Sequence, residues 1–142
     1  MSGLKYFSYN DYGKTLLGEI HYSQAVRVGD NIEISGQDLG GWDPTTGKVH
    51  SDLSDEIDQA FSNVDLALKD AGGKGWSQVF RIRLYALDEA WTPEGMGWMV
   101  ENMKKWAPDH APILTGVGVS KLGQPGMRIE VEVSAYDPQE AQ

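Results

Sequence analysis

Between Ile57 and Ala71, apolar residues return every three or four positions: Ile57, Ala60, Phe61, Val64, Ala67, Leu68 and Ala71. That spacing predicts an amphipathic helix with a single buried stripe. Asp55, Glu56, Asp58, Gln59, Asn63 and Asp65 fill the intervening positions and are expected on the solvent side. Asp52 or Ser54 can cap the start, the acidic first turn complements the helix dipole, and Gly72-Gly73 ends the run. A second helix is expected to begin at Thr92-Pro93, with Thr as N-cap and Pro at the first helical position, and to stop before Pro108. Met96, Met99, Val100, Met103 and Trp106 form its apolar stripe.

Elsewhere the period shortens to two. Val79–Ala86 reads as a strand with Phe80, Ile82 and Leu84 on one face and Arg81, Arg83 and Tyr85 on the other. Residues 25–28 and 31–35 read as a hairpin turning at Gly29-Asp30, where glycine tolerates the positive φ of a tight turn. Residues 113–119 and 127–136 are two final strands, joined through Gly123 and Pro125-Gly126. Residues 4–9 alternate weakly and are read as a first strand, residues 10–18 as a loop, and residues 36–47 as a glycine-rich loop containing the turn Asp43-Pro44-Thr45-Thr46-Gly47. The order implies an α+β fold, a sheet with two helices on one face. The other sheet face then needs a cover, so self-association is expected.

A length of 142 residues fits one domain, residues 1–142. Cysteine is absent, which excludes disulfides, thiolate nucleophiles and zinc ribbons. The net charge of -9 disfavours nucleic acid, whose binding needs clustered Lys and Arg to displace counterions. No basic segment followed by an apolar stretch opens the chain, and no apolar run approaches the roughly 20 residues of a membrane helix. A cytoplasmic protein without a membrane partner is the expectation.

Chemistry-bearing motifs are sparse. His21, His50 and His110 lie at no metal-ligand spacing and read as solvent or structural residues, so no metal is expected. There is no G-x-S-x-G elbow, phosphate loop or dinucleotide fingerprint, and no cofactor is called for. Trp42, in the glycine-rich loop, either packs or contacts a ligand. Glu130 and Glu132 share one face of the last strand with Arg128. Either Arg128 screens two carboxylates on a wet face, or subunit packing buries a carboxylate beside a cleft and makes it a general acid or base.

Five stretches in register carry a resemblance: Tyr-Ser-Gln-Ala-Val-Arg-Val-Gly-Asp at 22–30, Ile-Ser-Gly-Gln at 34–37, Asp-Pro-Thr-Thr-Gly-Lys-Val at 43–49, Ala-Leu-Lys-Asp-Ala-Gly-Gly at 67–73 and Arg-Ile-Glu-Val-Glu-Val-Ser-Ala at 128–135. Together they resemble the Rid/YjgF family, reactive intermediate deaminases also known as L-PSP endoribonucleases. The resemblance implies a chorismate-mutase-like fold with a mixed sheet, a homotrimer whose sheets form a barrel, and ligand clefts between subunits. It also implies hydrolysis of imines or enamines to 2-keto acids and ammonia, with Glu130, Tyr22 and Ser35 as catalytic residues.

One position breaks the pattern. The family's Pro-Ala-Arg-Ser/Thr aligns with Pro112-Ile113-Leu114-Thr115, so Leu114 stands where an Arg grips the substrate carboxylate, and Gly116 replaces a common Cys. Leucine offers no donor, which points to a more apolar ligand. Leu114, Thr115, Gly116, Trp42 and Arg128 are the expected substrate-binding positions. Two functions follow: a divergent enzyme acting on a small carbonyl, imine or enamine, or a non-catalytic trimer that binds a small molecule or stabilises a partner.

Overall fold

The computed structural model describes residues 3–36 and 40–139. Gln37, which closes the Ile-Ser-Gly-Gln motif, lies outside the described residues. Six strands form one mixed sheet: β1 Lys5–Phe7, β2 Ala25–Val28, β3 Asn31–Ile34, β4 Val79–Ala86, β5 Ile113–Gly118 and β6 Ile129–Tyr136. Their order is β1-β2-β3-β6-β4-β5, with every pairing antiparallel except β4 with β5. Helices α1 Tyr12–Ile20, α2 Leu53–Asp70 and α3 Pro93–Trp106, with a short 3-10 turn at Trp76–Gln78, are the helical elements among the described residues. The two long helices and the hairpin are where the spacing put them. Asp52 caps α2 by accepting from the Ser54 amide, Thr92 caps α3 with Pro93 following it, and Gly29 turns the hairpin at φ 60.

Alternation along the strands builds the core. Ile32, Ile34, Ile82, Leu84, Ile129, Val131 and Val133 are buried against Ile57, Phe61, Val64 and Leu68 of α2 and Met99 of α3. The opposite face carries Glu33, Arg83, Tyr85, Glu130, Glu132 and Ser134, as the β3–β6 and β4–β6 registers require. Val28, Ile113, Val117 and Tyr136 are exposed on that same face, so the expected uncovered apolar surface is present.

Four expectations need correction. Residues 12–20 form helix α1, although 10–18 read as a loop. Gly13 and Gly18 weaken the helical signal, but Leu16 packs with Trp42 and Met127, with Tyr12 against them, and this tertiary contact decides the matter. Phe80 does not share a face with Ile82 and Leu84: a bulge between Val79 and Arg81 leaves it exposed. Val100 is exposed, outside the stripe that Met99 anchors. Glu56 and Asn63, expected in solvent, are 0% and 1% exposed.

Candidate functional site

Glu130 is the second residue of β6, on the face away from the helices, and is 7% exposed. Tyr85 of β4 sits opposite it in the ladder, and Gly40 makes an isolated bridge to its backbone. Gly36 lies between two carboxylates: a Cβ there would stand 3.3 Å from Glu132 Oε2 and 3.4 Å from Glu130 Oε2. Any side chain at 36 would crowd both acids. Glu132 is held by Arg83 at 2.9 Å, and Ser134 Oγ donates a short hydrogen bond to Glu33 Oε1. Glu132 and Glu33 therefore each have a partner of their own.

Adjoining hollows surround these groups. One of about 350 Å³ is lined by Ser35, Gly36, Tyr85, Lys121, Glu130 and Glu132. A larger one of about 630 Å³, lined by Tyr22, His21, Glu33 and Tyr6 among others, shares Ser35 and Glu132 with it. Ser35 is placed by the hairpin, its amide donating to the Gln24 carbonyl at 2.9 Å. Ser35 thus borders both hollows, with Tyr22 lining the larger and Glu130 the smaller. Burial, followed by the negative charge of Glu132, pushes the Tyr85 phenol above its usual value; Arg83 opposes this and Glu130 reinforces it. Near neutral pH Tyr85 is a neutral hydrogen-bond donor beside Glu130. Neither Tyr85 nor Lys121 stood out in the sequence, because only the cross-strand register and the loop after β5 bring them here.

The remaining expected residues have other partners. Trp42 is 2% exposed, donates Nε1–H to Tyr9 Oη at 3.0 Å and meets Tyr12 edge to face, so its ring is part of the core. The reading of Arg128 as a screen for Glu130 and Glu132 is also corrected. Its Nε donates to Glu56 Oε1 at 2.6 Å and its Nη2 to the carbonyls of His50 and Ser51. Arg128 precedes β6, and its side chain turns toward α2. Leu114, Thr115 and Gly116 lie on β5, the far edge of the sheet from β1 and β2. Leu114 pairs with Ile82 and Gly116 with Leu84, which puts both on the helix face rather than the face of Glu130. A Cβ at Gly116 would stand 2.8 Å from the Trp91 ring, so the indole occupies the space a side chain would need. Within one chain, Leu114 and Gly116 therefore stay apart from Glu130, whereas Thr115 shares its sheet face and Tyr22 packs against the cluster that holds Trp42.

Known proteins resemble this chain in sequence and in fold. The profile of the family described as Endoribonuclease L-PSP matches residues 14–137. A protein of Dermatophagoides farinae named 2-iminobutanoate/2-iminopropanoate deaminase is 32% identical over 111 residues, covering 78% of this chain and 81% of its own. The structure of a probable translation initiation inhibitor from Rhodopseudomonas palustris is 26% identical and superposes with a TM-score of 0.80 over 96% of this chain and 100% of that one. A Mycobacterium tuberculosis protein of the YjgF/YER057c/UK114 family, 22% identical, shares the fold at a TM-score of 0.73, over 94% of this chain and 99% of its own. With its motifs, its strand order and a profile match over most of its length in agreement, this chain belongs to the endoribonuclease L-PSP family, the Rid/YjgF proteins.

Proposed function

We propose that this protein hydrolyses a small imine or enamine with an apolar substituent, in a cleft completed by a second subunit. The observation that carries the reading is Glu130: a nearly buried carboxylate bordering a hollow that Ser35 and Tyr85 also line, next to the one that Tyr22 lines. Water adds to the C=N carbon while Glu130 takes its proton; the proton passes to nitrogen, and the carbinolamine collapses to a carbonyl and ammonia. The named activity of the mite relative supports the reaction class. Leu114 and Gly116, on the opposite edge of the sheet, can join this cleft only if β5 of one copy meets the β2–β3 side of another. The exposed apolar residues of the open face favour that assembly, and a homotrimer satisfies both. Leu114 supplies no hydrogen bond to a carboxylate, so substrates that depend on that grip are poor ones. The same feature favours, as a second reading, a trimer that binds an apolar metabolite without turning it over.

The test is ammonia release from the imine of 3-methylbutylamine, an apolar imine without a carboxylate, generated in the assay by a flavin amine oxidase. Glu130→Gln keeps the shape of the side chain but cannot accept a proton. It should lower kcat by about 10²–10⁴-fold and leave the assembly intact. Unchanged turnover in Glu130→Gln would remove Glu130 from the mechanism, and a wild-type protein without turnover would leave the binding reading.

A further inference from the structure

We propose that Glu56 and Asn63, two buried polar residues of α2, are positioning residues for Glu130. The proposal rests on the reading of Glu130 as the catalytic carboxylate. The two side chains are seven residues apart, two turns of helix, and so project from one side of α2. Glu56 Oε2 accepts the backbone N–H of Arg128 at 2.6 Å and that of Ile129 at 3.3 Å, while Oε1 accepts Arg128 Nε at 2.6 Å. These are the two amides immediately before Glu130. Asn63 Nδ2 donates to the carbonyls of Gly40 at 2.9 Å and Trp42 at 2.8 Å, and Gly40 is the residue bridged to Glu130. Between them, Gly41 lies so close to α2 that a Cβ would stand 2.1 Å from the Glu56 carbonyl oxygen. One helix therefore holds both the strand that enters Glu130 and the loop that crosses it.

Orientation is built in behind Asn63 as well. Its Oδ1 accepts Gln59 Nε2–H at 2.8 Å, and Gln59 Oε1 accepts the Nε2–H of His50 at 3.2 Å. This chain fixes which end of the Asn63 amide faces the loop. Burying a carboxylate is costly unless it is paired and hydrogen-bonded. An apolar residue at 56 or 63 could fill the same space but could not hold backbone in register with Glu130. A misplacement of about 1 Å at a reacting group is enough to cost on the order of 10²-fold in rate.

The test compares Glu56→Gln and Asn63→Ala with Trp76→Phe in the same apolar-imine assay. Trp76→Phe removes another buried bond to α2, the one from Trp76 Nε1 to the Phe61 carbonyl, without touching the Glu130 region. The first two variants should lose about 10–100-fold in kcat with KM within roughly twofold, while Trp76→Phe lowers Tm and keeps kcat. A lowered Tm with wild-type kcat in the folded Glu56→Gln or Asn63→Ala protein overturns the proposal. Unchanged turnover in Glu130→Gln, or no turnover in the wild type, overturns the reading of Glu130 and the proposal with it. Amide hydrogen exchange of the unaltered protein decides the matter if both variants fail to fold. The amides of Arg128 and Ile129 should be protected as strongly as those of Val131 and Val133; free exchange at the first two overturns the proposal.

Discussion

The two faces of one sheet solve different problems with the same strands. Toward the helices, Ile32, Ile82, Leu84, Val131 and Val133 form a dry layer in which every side chain is buried by α2 and α3. One residue along in each strand, the open face carries Glu33, Arg83, Tyr85, Glu130 and Glu132 among exposed Ile113, Val117 and Tyr136. The contrast is sharpest between two buried glutamates. Glu56 spends both carboxylate oxygens on backbone amides and a guanidinium, whereas Glu130 borders a hollow that it shares with Ser35, Tyr85 and Lys121. Two glutamates of similar burial thus face different surroundings, one the backbone and the other a hollow.

The covered face should respond to truncation by losing stability. Phe61 is fully buried and stacks on Trp76 at 5.1 Å, so Phe61→Ala should cost about 3–5 kcal/mol in denaturant unfolding. The open face should respond through assembly instead. Ile113→Asp is expected to leave the fold and its circular dichroism intact while sedimentation shifts from three copies of the 15.7 kDa chain toward one. A wild-type protein that sediments as a stable monomer at micromolar concentration would break the comparison, because the open face would then have no cover.

Smaller effects test the edges of the sheet. Leu114→Arg restores a guanidinium at the end of β5, and a charge-assisted bond of about 1.5–3 kcal/mol should raise kcat/KM toward the imine of alanine by about 10–100-fold. No gain would place Leu114 outside the cleft. At the other end of β6, hydrogen bonds from Arg27 and then Gln78 hold the Asp137 carboxyl below its ordinary value of 3.8. The folded state thus favours the carboxylate, so its contribution is complete above the unfolded value and fades as pH falls through the lowered one. Asp137→Asn should lower stability by about 1–2 kcal/mol at pH 7 and by progressively less toward about pH 2. A constant gap across that range would show that the carboxylate charge contributes nothing.

The sequence alone determined the periodic parts of this protein. Helices α2 and α3, the hairpin at Gly29 and strand β4 follow from spacing, caps and turn chemistry, which act between residues close in the chain. The family motifs likewise drew attention to Tyr22, Ser35 and Glu130, which the fold places along two adjoining hollows. Tertiary structure decided what depends on contacts between distant residues. Helix α1 exists because Leu16 finds Trp42 and Met127, and Trp42 is core for the same reason. Arg128 leaves the face of Glu130 because Glu56, 72 positions earlier, waits inside α2. Periodicity marks Glu56 and Asn63 as polar and therefore exposed; only folding shows that each has a backbone partner to satisfy. A side chain's type can be read along the chain, but its partner is set by whichever segment packs against it.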